Sequence, residues 1–188
     1  MEEVRRRRFN VIDRAVQKAR QEIMAQEDAN IFAAVDVACS ADNEVQDIAD
    51  AGLLKRDLIE IKSQIDRWDL VTTKFFMNIN EYNDILNWAH SGNNAGEIDP
   101  ITQREVMKTG LFAQIFGIDI IVTKIVPPGT IYGLADPEFV GTLAVVSEIE
   151  CYPCDEIKQL KLGWVVCEQI GIGILNARGV AAGRKSVA

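Results

Sequence analysis

Cys151-Tyr152-Pro153-Cys154 is the sharpest chemical motif in the chain. A Cys-x-x-Cys pair supports disulfide exchange when one thiolate is stabilised, usually at a helix N-terminus. Here Asp155 and Glu156 follow directly and disfavour a thiolate. The pair also sits late in the chain, whereas a thioredoxin-like domain places most of its sheet after the motif. Zinc would need further ligands at suitable spacing, and Cys39, Cys167 and the single histidine, His90, are scattered. Cys167 lies within an apolar run, where a free cysteine acts as a small hydrophobe. No serine or cysteine motif accompanies His90, so no nucleophilic triad is indicated. Gly171-x-Gly173 has Asn176 where a dinucleotide fingerprint has its third glycine, and its surroundings are those of a strand. Glu138, Glu148, Glu150, Asp155 and Glu156 suit an acidic edge that is solvated or faces a partner. No catalytic, cofactor-binding or metal-ligating residue is assigned, and the chain is not expected to be an enzyme.

The elements that would position such groups change character along the sequence. Residues 3–26 carry Ile12, Val16, Ala19 and Ile23 at helical spacing, which predicts a long amphipathic helix. Asp28 and Asn30 mark a break or a re-capped continuation into the apolar segment Ile31–Ala38. Ser40 and Asp42 are placed to cap a short helix ending at Gly52. A helix over 54–67 has Leu58, Ile61, Ile65 and Trp68 as its inward stripe. Lys74–Met77 is expected as a short buried strand. Asn78 and Glu81 form a capping pair for a helix through Trp88. Residues 90–98 form a polar loop with two glycines. Asp99-Pro100 starts a helix that stops at Gly110. Strands then dominate: 118–124, a turn at Pro127-Pro128-Gly129, a corner at Asp136-Pro137, a strand region 139–152, and a long strand 162–175 headed by Trp164, which is expected to be buried. Helices first and strands later give an α+β fold.

Composition narrows the function classes. The 188 residues are 48% hydrophobic and 26% charged, enough for a sizeable core in one domain or two lobes. A net charge of −8 argues against general nucleic-acid binding. Arg5-Arg6-Arg7-Arg8, preceded by Glu2 and Glu3, suits a solvated helix end. No apolar run reaches the ~20 residues of a membrane helix, and no secretory signal follows Met1. Four scattered cysteines do not make a disulfide scaffold, which fits cytoplasmic synthesis.

Several segments, taken in order, resemble the major capsid proteins of tailed bacteriophages, with the Hong Kong 97-type fold. They are Lys74-Phe75-Phe76-Met77-Asn78 leading into a helix; Gly117–Val122 running to Val126-Pro127-Pro128-Gly129-Thr130; Asp136-Pro137-Glu138-Phe139-Val140-Gly141; and the closing strand from Gly163-Trp164 to Gly179. The resemblance spans nearly the whole chain and rests on the order of elements. It implies a spine helix, a peripheral lobe (1–45 with 139–188) and an axial lobe (46–138), with loop 90–98 at the axial tip. It implies a structural subunit that associates with copies of itself into pentameric and hexameric rings of an icosahedral head, with other head proteins as further partners. No specific nucleic-acid recognition and no membrane are implied. The location implied is the virion, after synthesis in the host cytoplasm. The family's N-terminal arm and extended two-stranded loop have no counterpart before the spine-like helix. The expectation is therefore a shortened relative that does not close uniform shells alone, with no basis for a lysine–asparagine cross-link. Two alternatives stand beside this: an encapsulin-like nanocompartment shell protein, and a thiol oxidoreductase using Cys151 and Cys154.

Overall fold

A computed structural model describes residues 11–39, 43–48, 52–88, 114–154 and 163–185. In chain order the elements are α1 (Val11–Ala38), β1 (Glu44–Ile48), α2 (Lys55–Asp66), β2 (Thr72–Met77), α3 (Ile79–Asn87), β3 (Gln114–Ile115), β4 (Ile118–Val122), β5 (Thr130–Ala135), α4 (Pro137–Val140), β6 (Gly141–Pro153), β7 (Trp164–Ile174), a 3-10 turn (Ala177–Gly179) and β8 (Val180–Lys185). The α+β expectation holds. The chain divides into two compact units, one of residues 1–31 with 143–173 and one of residues 32–142 with 174–188.

The second unit is built on a six-stranded mixed sheet in the order β1-β8-β5-β2-β4-β3. Its centre is antiparallel, with β5 between β2 and β8, while β1–β8 and β2–β4 are parallel pairs. Helix α2 packs on this sheet through Leu58, Ile61 and Ile65, all fully buried, as their helical spacing requires. At Gly133 in β5 helix and sheet approach closely. A Cβ there would lie 2.9 Å from Ile61 Cγ2. Helix α2 starts without a side-chain acceptor at Leu54; instead buried Asp57 reaches back to the Leu54 N–H at 2.9 Å.

The expected capping pair before α3 is only half realised. Asn78 caps the helix by accepting from the Asn80 N–H, and its amide donates to the Val126 carbonyl at 2.8 Å. Glu81 instead turns to the Pro127-Pro128-Gly129 turn, where its Oε1 accepts from the Gly129 N–H at 2.7 Å. Gly129 has φ of 81°, the left-handed conformation this turn needs and glycine provides. Trp88 is buried, and its indole N–H donates to the Leu53 carbonyl.

Three expectations fail for local reasons. The short helix expected before Gly52 is not seen at Glu44–Ile48, which is a strand pairing in parallel with β8. Buried Asn43 fixes the start of that strand by donating to the Ala177 carbonyl at 2.7 Å, and its own carbonyl accepts from the Ala182 N–H. Distant pairing thus overrides the local helix signal at Glu44–Ile48; Ser40 and Asp42 lie outside the described residues. Helix α1 does not break at Asp28 and Asn30. The Asn30 side chain accepts from Gln26 one turn earlier, so it does not compete for the backbone. Trp68 is not in the inward stripe of α2; it lies just past the helix and is 39% exposed.

The first unit contains residues 11–31 of α1 and a two-stranded sheet, β6 with β7. The expected long strands are present, β6 starting only after the one-turn α4, which Asp136 caps through the Glu138 N–H. Trp164 corrects an expectation: it is 44% exposed, because a sheet of two strands buries little at its ends. The helix expected over 99–110, the loop 90–98 and the Arg5–Arg8 run lie outside the described residues.

Candidate functional site

The chemical candidates among the described residues do not converge. Cys151 is half-buried within β6, and Cys154 is exposed just past it, its backbone N–H bonded to the Gly163 carbonyl at 2.8 Å. The pair is therefore held in extended backbone, not at the helix N-terminus that activates a redox thiol. Nothing in this geometry supports the thiol oxidoreductase. Cys167 is exposed on β7, and Cys39 is half-buried after α1. His90, Asp155 and Glu156 lie outside the described residues. Among the described residues no group of three His, Cys, Asp or Glu side chains is arranged to hold a metal ion. Gly171 and Gly173 lie within β7, and Asn176 caps the 3-10 turn by accepting from the Arg178 N–H. A shallow open groove of about 580 Å³ is lined, among the described residues, by the apolar side chains of Ala33, Ala34, Val37, Ala38, Ile174 and Ala177.

Two polar clusters that sequence reasoning missed are structural ties. Asp36 Oδ1 accepts from Tyr132 O–H at 2.7 Å and from Arg184 Nη2 at 2.8 Å, joining the end of α1 to β5 and β8. Burial, then the bond to Asp36, pushes the Tyr132 phenol well above its ordinary value. Asp84 Oδ2 accepts from the Leu53 N–H at 3.1 Å and pairs with Lys185 at 3.3 Å. A signal was available for the first cluster: Asp36 is the single charge in the apolar run Ile31–Ala38.

The exposed surface of the two-stranded sheet is different in kind. Along β6, Val146, Glu148, Glu150 and Tyr152 alternate outward, and Val165 is exposed on β7. Tyr152 O–H donates to Glu150. Gly171 lies against Ala144, so the strands share one outward face of apolar and acidic residues. On the other side, Glu168 is half-buried; loss of solvent, then the Glu27 carboxylate, raises its pKa.

No protein-family model matches the sequence, and no curated protein matches it. Solved structures do. The holo-SrpI encapsulin complex from Synechococcus elongatus PCC 7942 aligns over 95% of this chain and 67% of its own, with TM-score 0.66 and 11% identity. The capsid of an empty GTA particle aligns over 100% and 70%, with TM-score 0.65 and 8% identity. A virus-like particle from Pyrococcus furiosus aligns over 89% and 64%, with TM-score 0.58 and 15% identity. The fold is thus the Hong Kong 97-type fold of capsid and shell subunits. The chain spans about two thirds of the length of these structures.

Among the described residues no helix is long and apolar enough to cross a membrane.

Proposed function

We propose that this chain is the subunit of a protein shell, a major capsid protein of a tailed bacteriophage that associates with copies of itself into pentameric and hexameric rings of an icosahedral head. The observation that carries this reading is the fold, aligned over nearly the whole chain with particle-forming proteins. The scattered placement of the chemical candidates among the described residues, and the exposed face of β6 and β7, support a structural role over a catalytic one. The lobes are proposed as peripheral (1–45 with 139–188) and axial (46–138). The two compact units support two lobes, and the pairing of β8 with β5 argues for moving residues 174–188 to the axial one. Rings of this kind close by rotation through heterologous contacts, in which each subunit offers two different patches. Other head proteins are proposed as further partners, and the virion as the location.

Light scattering and negative-stain microscopy of the purified chain test the proposal. Concentration-dependent small rings are the expected result. A monodisperse monomer up to about 100 μM, far above the range of specific stable assemblies, refutes it. The encapsulin match favours a second reading, a nanocompartment shell enclosing a cargo enzyme. Particles isolated from the source cell separate the two: packaged DNA supports the phage head, and a co-purifying enzyme supports the nanocompartment.

A further inference from the structure

We propose that Arg67, Trp68 and Arg178 form a docking patch for a second copy of this chain, received through Glu148 and Glu150 on the outward face of its β6. The proposal rests on the shell-subunit reading and names one contact that would build it.

The patch is assembled from distant segments. Both guanidinium groups lie over the Trp68 ring, Arg178 at 4.1 Å and Arg67 at 5.2 Å from its centroid. Buried Asn43 organises the pair: its Oδ1 accepts from Arg67 Nη2 at 3.1 Å, and its Nδ2 donates to the Ala177 carbonyl, in the turn that carries Arg178. Among the described residues Arg178 makes no ion pair, and its side chain and the indole are both exposed. Val71, 72% exposed, follows three residues after Trp68. Asp66 on α2 is engaged by Lys62 and Thr72. An indole with two guanidinium groups over its ring is cationic and partly desolvated, the composition of an interface anchor.

The occupant follows from charge. The chain has 28 acidic and 20 basic residues, so a fixed cationic patch has ample acidic surface to meet on another copy. Glu148 and Glu150 are exposed on one face of β6, two residues and so about 7 Å apart. Tyr152 holds the Glu150 carboxylate, and Val146, 72% exposed, gives an apolar margin to match Trp68 and Val71. Guanidinium groups bind carboxylates through paired N–H donors, which lysines do less well. Patch and receptor differ and belong to different compact units, as a heterologous ring contact requires. A net charge of −8 disfavours a nucleic-acid strand as the occupant.

Sedimentation velocity of the full chain, over a concentration series at low and high salt, tests the contact. Arg178→Glu, and separately Glu148→Arg with Glu150→Arg, are each expected to weaken association about tenfold. Combining all three changes restores an opposite-charge pairing at position 178 while Arg67 stays cationic, and is expected to recover association at least about threefold relative to the β6 variant. High salt should weaken the parent's association. Should Arg178→Glu lose its native circular dichroism, the β6 variant alone carries the test, since its two changes are exposed and outside the core. Unchanged association in the β6 variant, or failure of the triple variant to recover, overturns the contact while the shell reading stands. A parent that never associates overturns both. A monomeric parent that retains a labelled single-stranded DNA, lost on Arg178→Glu, assigns the patch to nucleic acid and also overturns the contact.

Discussion

Gly133→Ala should destabilise the six-stranded unit, although alanine suits a strand better than glycine. The added Cβ would stand 2.9 Å from Ile61 Cγ2, 3.4 Å from Phe75 Cε1 and 3.5 Å from Ile65 Cδ1. Ordinary carbon contacts lie near 3.5–4.0 Å, so the first overlaps and the other two leave no room to rotate away. Ile61, Ile65 and Phe75 are all fully buried, so relief requires moving α2 off the sheet. Overpacking of this kind costs about 1–3 kcal/mol, and the lower entropy of the unfolded alanine chain returns about 0.4–1 kcal/mol. The net expectation is a loss of up to about 2.6 kcal/mol, centred near about 1.3 kcal/mol, read from urea denaturation by the fluorescence of buried Trp88. Ile61→Ala alone should cost about 2–5 kcal/mol through its cavity. The double variant should cost at least about 1 kcal/mol less than the two losses added, because the new Cβ enters the space Ile61 leaves. Gly171→Ala is the control: its Cβ would meet Ala144 at 4.0 Å, an ordinary contact, and the midpoint should not fall. An unchanged midpoint in Gly133→Ala, or strict additivity with Ile61→Ala, would refute the close-approach argument.

Tyr132→Phe removes the bond to Asp36 and should cost about 1.5–3 kcal/mol at neutral pH, measured by urea denaturation. Because folding raises the Tyr132 phenol above its unfolded value of 10.0, the stability it lends is complete below that pH and lost as pH rises further. A parent stability curve between pH 9 and 11 as flat as that of Tyr132→Phe would count against it. Glu168→Gln should raise the melting temperature at pH 7, since a carboxylate with a raised folded pKa opposes folding once ionised. The gain should shrink as pH falls through the carboxylate range, where Glu168 is protonated in both states; a gain independent of pH would reject the cause. Glu81→Ala should cost about 1.5–3 kcal/mol by freeing the Gly129 N–H, while Glu81→Gln, which keeps an acceptor, should cost less than half of that by the same denaturation assay.

Much of the scaffold was legible because its signals are local. Leu58, Ile61 and Ile65 declare α2 by spacing, Asn78 declares the start of α3, and Pro127-Pro128-Gly129 declares a turn that places Gly129 at φ 81°. The long strands β6 and β7 follow from extended β-branched and apolar content, and the order of these elements carried the resemblance to capsid proteins. The failures share a different cause. Strand β1 exists because β8, from the far end of the chain, pairs with it, and no window around residues 42–52 contains that partner. Glu81 has the spacing of a capping residue, but Gly129, 48 positions away, presents an N–H that takes its carboxylate. Trp164 heads an apolar strand, yet burial depends on how many strands flank it, and that number is a property of the assembled sheet.

The docking patch shows the same limit at the level of function. Arg67 and Trp68 are adjacent, but Arg178 joins them only because Asn43 ties the turn after β7 beside the end of α2. In sequence, each of these residues is an ordinary surface or turn residue. Together they make a cation-rich aromatic surface on a chain of net negative charge. A catalytic site tends to announce itself through residue types that are rare and spaced by mechanism. An assembly surface is made of common residues, and its information lies in the geometry of a partner as well as its own. For a chain whose described chemistry-bearing residues stay apart while Arg67 and Arg178 are gathered over one indole, the informative measurement is association between copies, with charge reversal as the variable.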